Sequence, residues 1–342
     1  MAEEEDDIVL RGSRESNGDR RSFHQLRYGG AVFGHAQLES WARIPATVLC
    51  PSERYYAERG RGHQKLSERA WQIIALVSRR LPDQVLVFVT DSSFAVFVLL
   101  DQVSRLKNAG LISRLRMDAQ SYDFAPVRKP GQKGRPRIKG ARRLSPQQLL
   151  EAPETEWETI PVKEWYGGGE RQIEVYSETC LWGTTGKPYV PIRWVLVRDV
   201  LGEFDPCAFL STELTHEPIQ ILTWFVRRWR MEVTFEESRA QIGVETQRQW
   251  NDLAIARSTP ILFGLFSLVT LMANALIKDQ TTAVRRAAWY TKEQPTFSDA
   301  LALVRRCLWS SYHFQTSESE TDLVKIPRSL LERLTDAVCY AA

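Results

Sequence analysis

One short stretch of the chain carries acids and arginines at a helical spacing. Phe225, Arg228, Glu232, Glu236 and Arg239 lie three or four residues apart, so a helix would place them on one face. On that face the Glu232 carboxylate can hold a metal ion while the arginines bind phosphate groups. The alternative is a solvated helix with ion pairs such as Arg228–Glu232, each worth about 0.2–0.5 kcal/mol. Spacing alone favours this alternative.

A second acid follows the most strand-like run of the chain. Residues 85–89 read Val-Leu-Val-Phe-Val, a continuous apolar run typical of a strand buried on both faces. Because a carboxylate is costly to bury, an acid such as Asp91 tends to appear where such a strand ends. The alternative is that Asp91 or Ser92 caps the following helix. The residues alone favour the cap, although capping and catalysis are compatible.

The string around Glu232 resembles the carboxy-terminal motif of insertion-sequence transposases of the DDE superfamily, in the subgroup marked by Tyr-x2-Arg-x3-Glu-x6-Lys. Phe225 stands at the tyrosine position, Arg228 at the arginine, Glu232 at the catalytic glutamate and Arg239 at the lysine. Two of these four positions therefore hold a chemically close replacement. Residues 243–250 also resemble one branch of that group, and the resemblance covers roughly residues 42–275.

This resemblance implies an RNase H-like α/β fold in which Asp91 is the second aspartate of the catalytic triad and Glu232 is its glutamate. It implies two divalent ions about 3.5–4 Å apart, one activating water or a 3′-hydroxyl and one stabilising the leaving oxygen. Oxygen ligands and a phosphate substrate favour Mg²⁺ or Mn²⁺. The implied partner is double-stranded DNA at insertion-sequence ends, contacted by Arg228 and Arg239. A homodimer is compatible with the resemblance.

The first aspartate of the triad is the main departure from the family. In the family it lies on an opening apolar strand, upstream of the region that matches residues 41–59 here. Asp6, Asp7 and Asp19 precede that region, and their polar surroundings do not predict such a strand. We therefore assign no first aspartate and expect a transposase that has lost its amino-terminal segment. A non-catalytic DNA-binding remnant is the alternative, and the missing acid favours it.

Residues 128–143 form a basic block rich in proline and glycine. The prolines and glycines exclude a helix, so the block predicts an extended arm. Lys133, Arg135 and Arg137 lie in a Gly-Arg-Pro-Arg context that resembles short arms placing arginines in a narrow minor groove. The alternative is a solvated basic loop, and the block by itself supports both interpretations equally. Beside a transposase-like core, DNA contact is the better interpretation.

Three tryptophans follow the basic arm. Trp157, Trp165 and Trp182 could stack on an exposed base near a cleavage site, but core packing is the interpretation that we favour for each.

Hydrophobic patterns place helices and strands along the chain. They predict a helix at residues 61–81, a strand at 85–89, a helix at 93–107 with Phe94, Phe97 and Val98 inward, and a strand at 111–115. Later they predict a half-exposed antiparallel strand around residues 173–177, a strand at 192–197, and helices near 299–309 and 329–340.

These patterns divide the chain into five segments. The segments are an irregular amino-terminal part (1–40), the first part of an RNase H-like core (41–116), a β-rich insertion with the basic arm (117–190), the second part of the core with the glutamate helix (191–280) and a carboxy-terminal helical region (281–342).

Composition narrows the class of protein. The chain has 342 residues, 25% charged and 43% hydrophobic, which is ordinary for a soluble protein, and its net charge of +3 is too small to prove a polyanion partner. Its five cysteines lie far apart without zinc-ligand spacing, which predicts free thiols in the cytoplasm. The acidic start lacks the features of a signal peptide. Residues 261–277 form an apolar run that we interpret as a buried core helix, with a membrane-associated protein as the alternative.

Overall fold

Parallel strands at the centre of a mixed sheet organise this protein. The computed structural model describes residues 6–12, 26–33, 43–128, 133–163, 165, 169–246, 251–277, 295–311 and 326–340. Within these residues the strands are β1 (Asp6–Gly12), β2 (Leu26–Phe33), β3 (Arg43–Pro51), β4 (Leu86–Thr90), β5 (Ala109–Leu115), β6 (Ser121–Tyr122), β7 (Glu158–Val162), β8 (Arg171–Trp182), β9 (Val190–Asp199) and β10 (Cys207–Ser211). The helices are α1 (Glu53–Ala57), α2 (Leu66–Arg80), α3 (Phe97–Val103), α4 (Pro146–Glu151), α5 (Pro218–Arg227), α6 (Trp229–Ile242), α7 (Asp252–Ile277), α8 (Phe297–Ser311) and α9 (Arg328–Cys339).

The sheet has the strand order β3-β2-β1-β4-β5-β10-β9-β8-β6, with β7 paired to β8. β1, β4 and β5 run parallel to one another, while β2 is antiparallel to β1 and β10 is antiparallel to β5. The carboxyl ends of β1, β4 and β5 therefore meet at one edge of the sheet. This α/β architecture confirms the predicted fold class, an RNase H-like core with helices around a mixed sheet.

The predicted central strand is the best-buried element of the sheet. All five residues of β4 are buried, as a parallel strand covered on both faces requires. Ile73, Ile74 and Val77 of α2 and Leu99 and Leu100 of α3 are buried in the same apolar cluster. Burial of this apolar area is the main contribution to the stability of this half of the protein.

The amino-terminal prediction is wrong in part. Residues 1–40 were expected to be irregular, yet β1 and β2 lie there and form a parallel and an antiparallel ladder. The local pattern is weak because the apolar run of β1 is limited to residues 8–10 and its partner β4 lies far away in the sequence. Asp19 and the other residues between the two strands lie outside the described residues.

The predicted helix at residues 93–107 is also corrected. A 3-10 turn spans Ser92–Phe94, and α3 begins only at Phe97, because Val96 has an extended backbone (φ −111°, ψ 127°). The later start changes the inward face, so that Val98 is 48% exposed and Leu99 is buried. Phe94 is buried as expected.

The segment after β5 extends the same sheet. β8 and β9 pair over ten residues in an antiparallel ladder, which confirms the antiparallel strand predicted around residues 173–177. β9 in turn pairs with β10, so the strands of the predicted insertion continue the core sheet. Trp165 and Trp182 are buried, and Trp157 is half-buried with the Arg198 guanidinium 4.1 Å from its ring centre. Packing therefore accounts for all three tryptophans.

The chain forms two compact units, one of residues 1–33 with 46–231 and one of residues 34–45 with 232–342. In the second unit α7 and α8 share an apolar cluster in which the rings of Phe266 and Phe297 stack with centroids 4.1 Å apart. The run predicted as a buried helix lies in α7, where Phe263 is buried but Ile261 and Leu268 are exposed. Within the described part of the chain, α7 is long and apolar enough to cross a membrane, which by itself is weak evidence for a span.

Candidate metal and nucleic-acid site

Asp91 lies at the sheet edge where the carboxyl ends of β1, β4 and β5 meet. Its backbone is extended (φ −67°, ψ 159°), and its side chain makes no capping hydrogen bond to the turn that follows. The carboxylate accepts a hydrogen bond from Ser92 Oγ at 3.0 Å. Ser113 Oγ donates to the Asp91 carbonyl oxygen at 3.0 Å, which joins the end of β4 to β5. The half-buried carboxylate is therefore held at this edge without serving as a helix cap.

The strand beside Asp91 determines whether a pair of ions can bind there. β1 pairs with β4 in parallel, from Asp6 with Leu86 to Leu10 with Thr90. Asp7 pairs with Val87, which lies about 13 Å from Asp91 along β4 at roughly 3.3 Å per residue. The expectation that Asp7 has no strand is thus wrong, but that strand places it at the far end. Among the described residues, no group of three or more His, Cys, Asp or Glu is arranged to hold a metal. Binding of the implied ion pair at this edge stays a prediction.

The predicted helical face around Glu232 is divided between two helices. α5 ends at Arg227 and α6 begins at Trp229, while Arg228 between them keeps helical dihedral angles (φ −55°, ψ −27°). The Arg228 amide donates to the Phe225 carbonyl at 3.1 Å, an i to i+3 hydrogen bond that tightens the turn. Phe225 therefore belongs to a different helix from the acids that follow it.

Glu232 lies in the first turn of α6 and is half-buried. Arg239 lies two turns later on the same helix and forms a 3.5 Å ion pair with Glu245. The Arg228 guanidinium lies 5.4 Å from the ring centre of Phe225. Both arginines that the resemblance assigns to DNA therefore contact groups of the protein itself.

Asp91 belongs to the first compact unit and Glu232 to the second. That the two carboxylates share a metal ion stays a prediction.

The basic arm is extended where it is described. Residues 133–141 contain no helix or strand, and the side chains of Lys133, Arg135 and Arg137 are exposed. Residues 129–132 of the block lie outside the described part of the chain. Three exposed cations on an extended segment can follow a phosphate backbone.

The carboxyl end of the arm is fastened to the sheet. Lys139 Nζ lies 3.5 Å above the ring centre of Tyr122, a cation–π contact. The Gly140 amide donates to the Asp123 carbonyl oxygen at 2.8 Å. Arg143 forms an ion pair with the Asp123 carboxylate at 2.5 Å. The exposed cations therefore project from a fixed base beside β6.

Residues 33–172 match the family model described as DDE superfamily endonuclease. The match covers less than half of the 342 residues and includes β4 with Asp91 and the basic arm. Glu232 lies beyond it. A comparison with curated protein sequences gives no match.

Two solved structures show a distant likeness to the chain. One is the cryo-EM structure of a piggyBac transposase synaptic complex with hairpin DNA, at 10% identity and a TM-score of 0.41. That likeness covers 96% of this chain and 56% of the transposase chain, so this chain spans little more than half of its length. The other is the NurA nuclease from Sulfolobus solfataricus, at 8% identity and a TM-score of 0.28, covering 85% of this chain and 88% of the nuclease.

Sequence reasoning located Asp91 but missed the strand beside it. The only local signal for β1 is the apolar triplet Ile8-Val9-Leu10, which is too short to stand out. The support from Ser113 was also missed, since a serine inside an apolar strand has no distinctive pattern.

Proposed function

We propose that this chain is a DNA transposase of the DDE type, which performs metal-dependent strand cleavage and transfer of an insertion sequence, in an incomplete copy without an assigned first catalytic aspartate. The observation that carries the proposal is Asp91, which ends the buried strand β4 inside the stretch that matches DDE superfamily endonucleases. An acid at the carboxyl edge of parallel strands is well placed to meet a phosphate substrate outside the sheet.

Asp91 and Glu232 are the two acids that we assign to the ancestral catalytic site. In a complete site, Mg²⁺ or Mn²⁺ would supply charge stabilisation for the phosphoryl transfer. No residue is assigned to the first aspartate, which would bridge the two ions.

Duplex DNA, at insertion-sequence ends, is the proposed partner. Lys133, Arg135 and Arg137 support this because they are exposed on an extended arm with an anchored base. Arg228 and Arg239 are further candidates for phosphate contact near Glu232. Such contacts release counterions, so binding weakens steeply as salt rises.

The second candidate function is that of a non-catalytic DNA-binding remnant. The unassigned first aspartate favours it, because a two-ion site needs three carboxylates. Both candidates predict DNA binding. Metal-dependent strand cleavage by the chain would favour the transposase, and its absence would favour the remnant.

Duplex binding by the purified full chain tests the proposal. We expect a DNA affinity that falls linearly with the logarithm of salt concentration, and an unrelated anionic polymer such as polyglutamate should compete only weakly. The same titration with EDTA should give the same affinity, because binding does not depend on a metal. A chain that binds neither duplex nor end-bearing DNA at low salt would contradict the proposal.

A further inference from the structure

We propose that Arg143 is a positioning residue for DNA binding, because its guanidinium joins the base of the basic arm to Asp123 and Glu178 and so sets the direction of the arm. The base of the arm consists of residues 139–143. This inference rests on the proposed function and names the side chains that orient the arm towards DNA. It gives two acids a part in the binding of an anion.

The backbone of the base is held by a short antiparallel ladder. The Arg143 amide donates to the Ser121 carbonyl oxygen at 3.0 Å, and the Asp123 amide donates to the Ala141 carbonyl oxygen at 2.8 Å. β6, to which Ser121 belongs, pairs with β8 over two residues. A ladder this short is marginally stable by itself, so side chains are needed to fix the direction in which the arm leaves the sheet.

The Arg143 side chain supplies these contacts. Its Nε donates to Asp123 Oδ1 at 2.5 Å, and its Nη1 donates to Glu178 Oε2. Asp123 follows β6, Glu178 lies in β8, and Arg143 ends the arm. Because a guanidinium holds its donors in a rigid planar fork, two carboxylates on different nitrogens fix its position and its orientation. One side chain therefore ties three segments together.

The Glu178 carboxylate is itself held in place. Tyr176 Oη donates to Glu178 Oε2 at 3.0 Å, and the Tyr176 ring lies near that of Trp194, with centroids 5.9 Å apart. Burial raises the pKa of Tyr176 to about 12, so its hydroxyl keeps the proton that it donates. The Glu178 side chain is 15% exposed. Because little solvent screens its pair with Arg143, this pair is stronger than an ion pair at the surface.

The charge of Arg143, Asp123 and Glu178 together indicates positioning rather than direct contact with DNA. One guanidinium and two carboxylates leave a net negative charge, which repels a phosphate. The contribution of the three residues is order. An arm that is already oriented loses less conformational entropy when its exposed cations meet DNA.

Removal of one acid tests the inference by the sign of the effect. Asp123→Ala makes the base of the arm more positive, so electrostatics alone predicts tighter binding of duplex DNA. We expect binding about tenfold weaker instead, because the arm must then be ordered on binding. Fluorescence anisotropy with a blunt duplex measures the affinity.

Asp118→Ala is the matched control for this measurement. Asp118 is the exposed partner of Arg116, and its removal changes the net charge by the same amount. This variant should bind DNA at least as tightly as the wild-type chain. If Asp123→Ala also binds at least as tightly as the wild-type chain, or if both variants weaken binding equally, the inference is overturned and the proposed function stands.

A salt series distinguishes positioning from a phosphate contact made by Arg143 itself. Arg143→Gln should weaken binding while keeping the wild-type slope of log K against log salt, whereas loss of a phosphate contact would reduce the slope by about 0.9. Arg143→Lys should recover only part of the affinity, since an ammonium is a point charge without the fork. Arg171→Gln is the control, because Arg171 also pairs with two acids, Asp199 and Glu203, at the other end of β8. It should keep the wild-type affinity.

Two results of the salt series would overturn the inference and leave the proposed function standing. One is a slope reduced by about 0.9 in Arg143→Gln. The other is an equal loss of affinity in Arg143→Gln and Arg171→Gln. If Arg143→Gln does not fold, Asp123→Ala remains measurable, because the Asp123 side chain is 42% exposed. Absence of DNA binding by the wild-type chain would overturn both the inference and the proposed function.

Discussion

Two tightly packed positions allow the packing of the fold to be tested by single substitutions. Gly140 fastens the basic arm to the sheet, and a Cβ there would lie 2.7 Å from both the Asp123 Cβ and the Phe124 carbonyl oxygen. Backbone must move to relieve such a contact. The second position is the buried pair of Ser211 and His216 at the end of β10.

Gly140→Ala should lower the free energy of unfolding by about 1–3 kcal/mol, because the added methyl group overpacks the base of the arm. Urea denaturation with matched m-values measures the change. Gly62→Ala is the control, since a Cβ at Gly62 meets nothing within 4 Å, and it should change stability by less than about 1 kcal/mol. Equal effects of the two substitutions would show that Gly140 does not need its close approach.

His216 should make the protein less stable in mild acid. Its Nδ1 lies 2.9 Å from Ser211 Oγ, and its ring packs against Trp224 with centroids 4.7 Å apart. Burial lowers the pKa of His216, while the nearby Glu213 carboxylate partly opposes this shift. The folded state therefore binds a proton less readily than the unfolded state. Stability is complete above the unfolded pKa of about 6.5 and is lost as pH falls from there towards the lowered folded pKa.

Thermal melting between about pH 7 and pH 5 measures this dependence. His216→Gln should flatten the decline of Tm across that window, whereas His63→Gln, at an exposed site, should retain the wild-type decline. A variant at position 216 with the same decline as the wild-type chain would assign the acid sensitivity to other groups.

Among the elements, the basic arm is the one that we propose to contact duplex DNA. Its exposed cations precede an anchored base, so their loss should affect DNA binding more than folding.

Replacing Lys133, Arg135 and Arg137 by alanine should weaken duplex binding and reduce the slope of log K against log salt. The reduction should reach about 2.7 if all three contact phosphates, at about 0.9 each. Fluorescence anisotropy across a salt series measures it. Alanine at Arg79, Arg80 and Lys107, a set of the same composition and exposure, is the control. A slope that the arm substitutions leave intact would mean that the arm is solvated.

For the whole molecule, the property to test is cleavage and joining of DNA. The resemblance assigns Asp91 and Glu232 to one site, and the two residues lie in different units. With no residue assigned to the first aspartate, a pair of ions would lack its bridging ligand.

The chain with Mg²⁺ or Mn²⁺ should not cleave or join DNA at a transposase-like rate. Loss of a charge-stabilising metal costs several kcal/mol in the transition state, and every 1.36 kcal/mol is about tenfold in rate. An assay with supercoiled plasmid and end-bearing oligonucleotides measures this. Glu232→Ala is the control, and robust cleavage that disappears in it would contradict the prediction.

The predictions from the sequence were correct for elements whose own residues show a clear hydrophobic pattern. The apolar run before Asp91 predicted β4 because a strand buried on both faces needs apolar residues at every position. It failed for β1, whose apolar triplet is short, and for α3, whose start depends on the extended backbone of Val96. The prediction of a single helical face around Glu232 also failed, because helical spacing does not reveal the interruption at Arg228.

The chain's residues alone specify the strand that ends at Asp91, the extended character of the basic arm and the spacing of acids and arginines around Glu232. These features follow from local rules of burial, ring constraint and helical repeat. Only the tertiary structure places β1 and β5 on either side of β4, the strand that leads to Asp91. The register of β1 with β4 joins residues 10 and 90 through backbone hydrogen bonds that every residue type can make. No local pattern encodes such a pairing, so the neighbours of the acid emerge only when the sheet assembles.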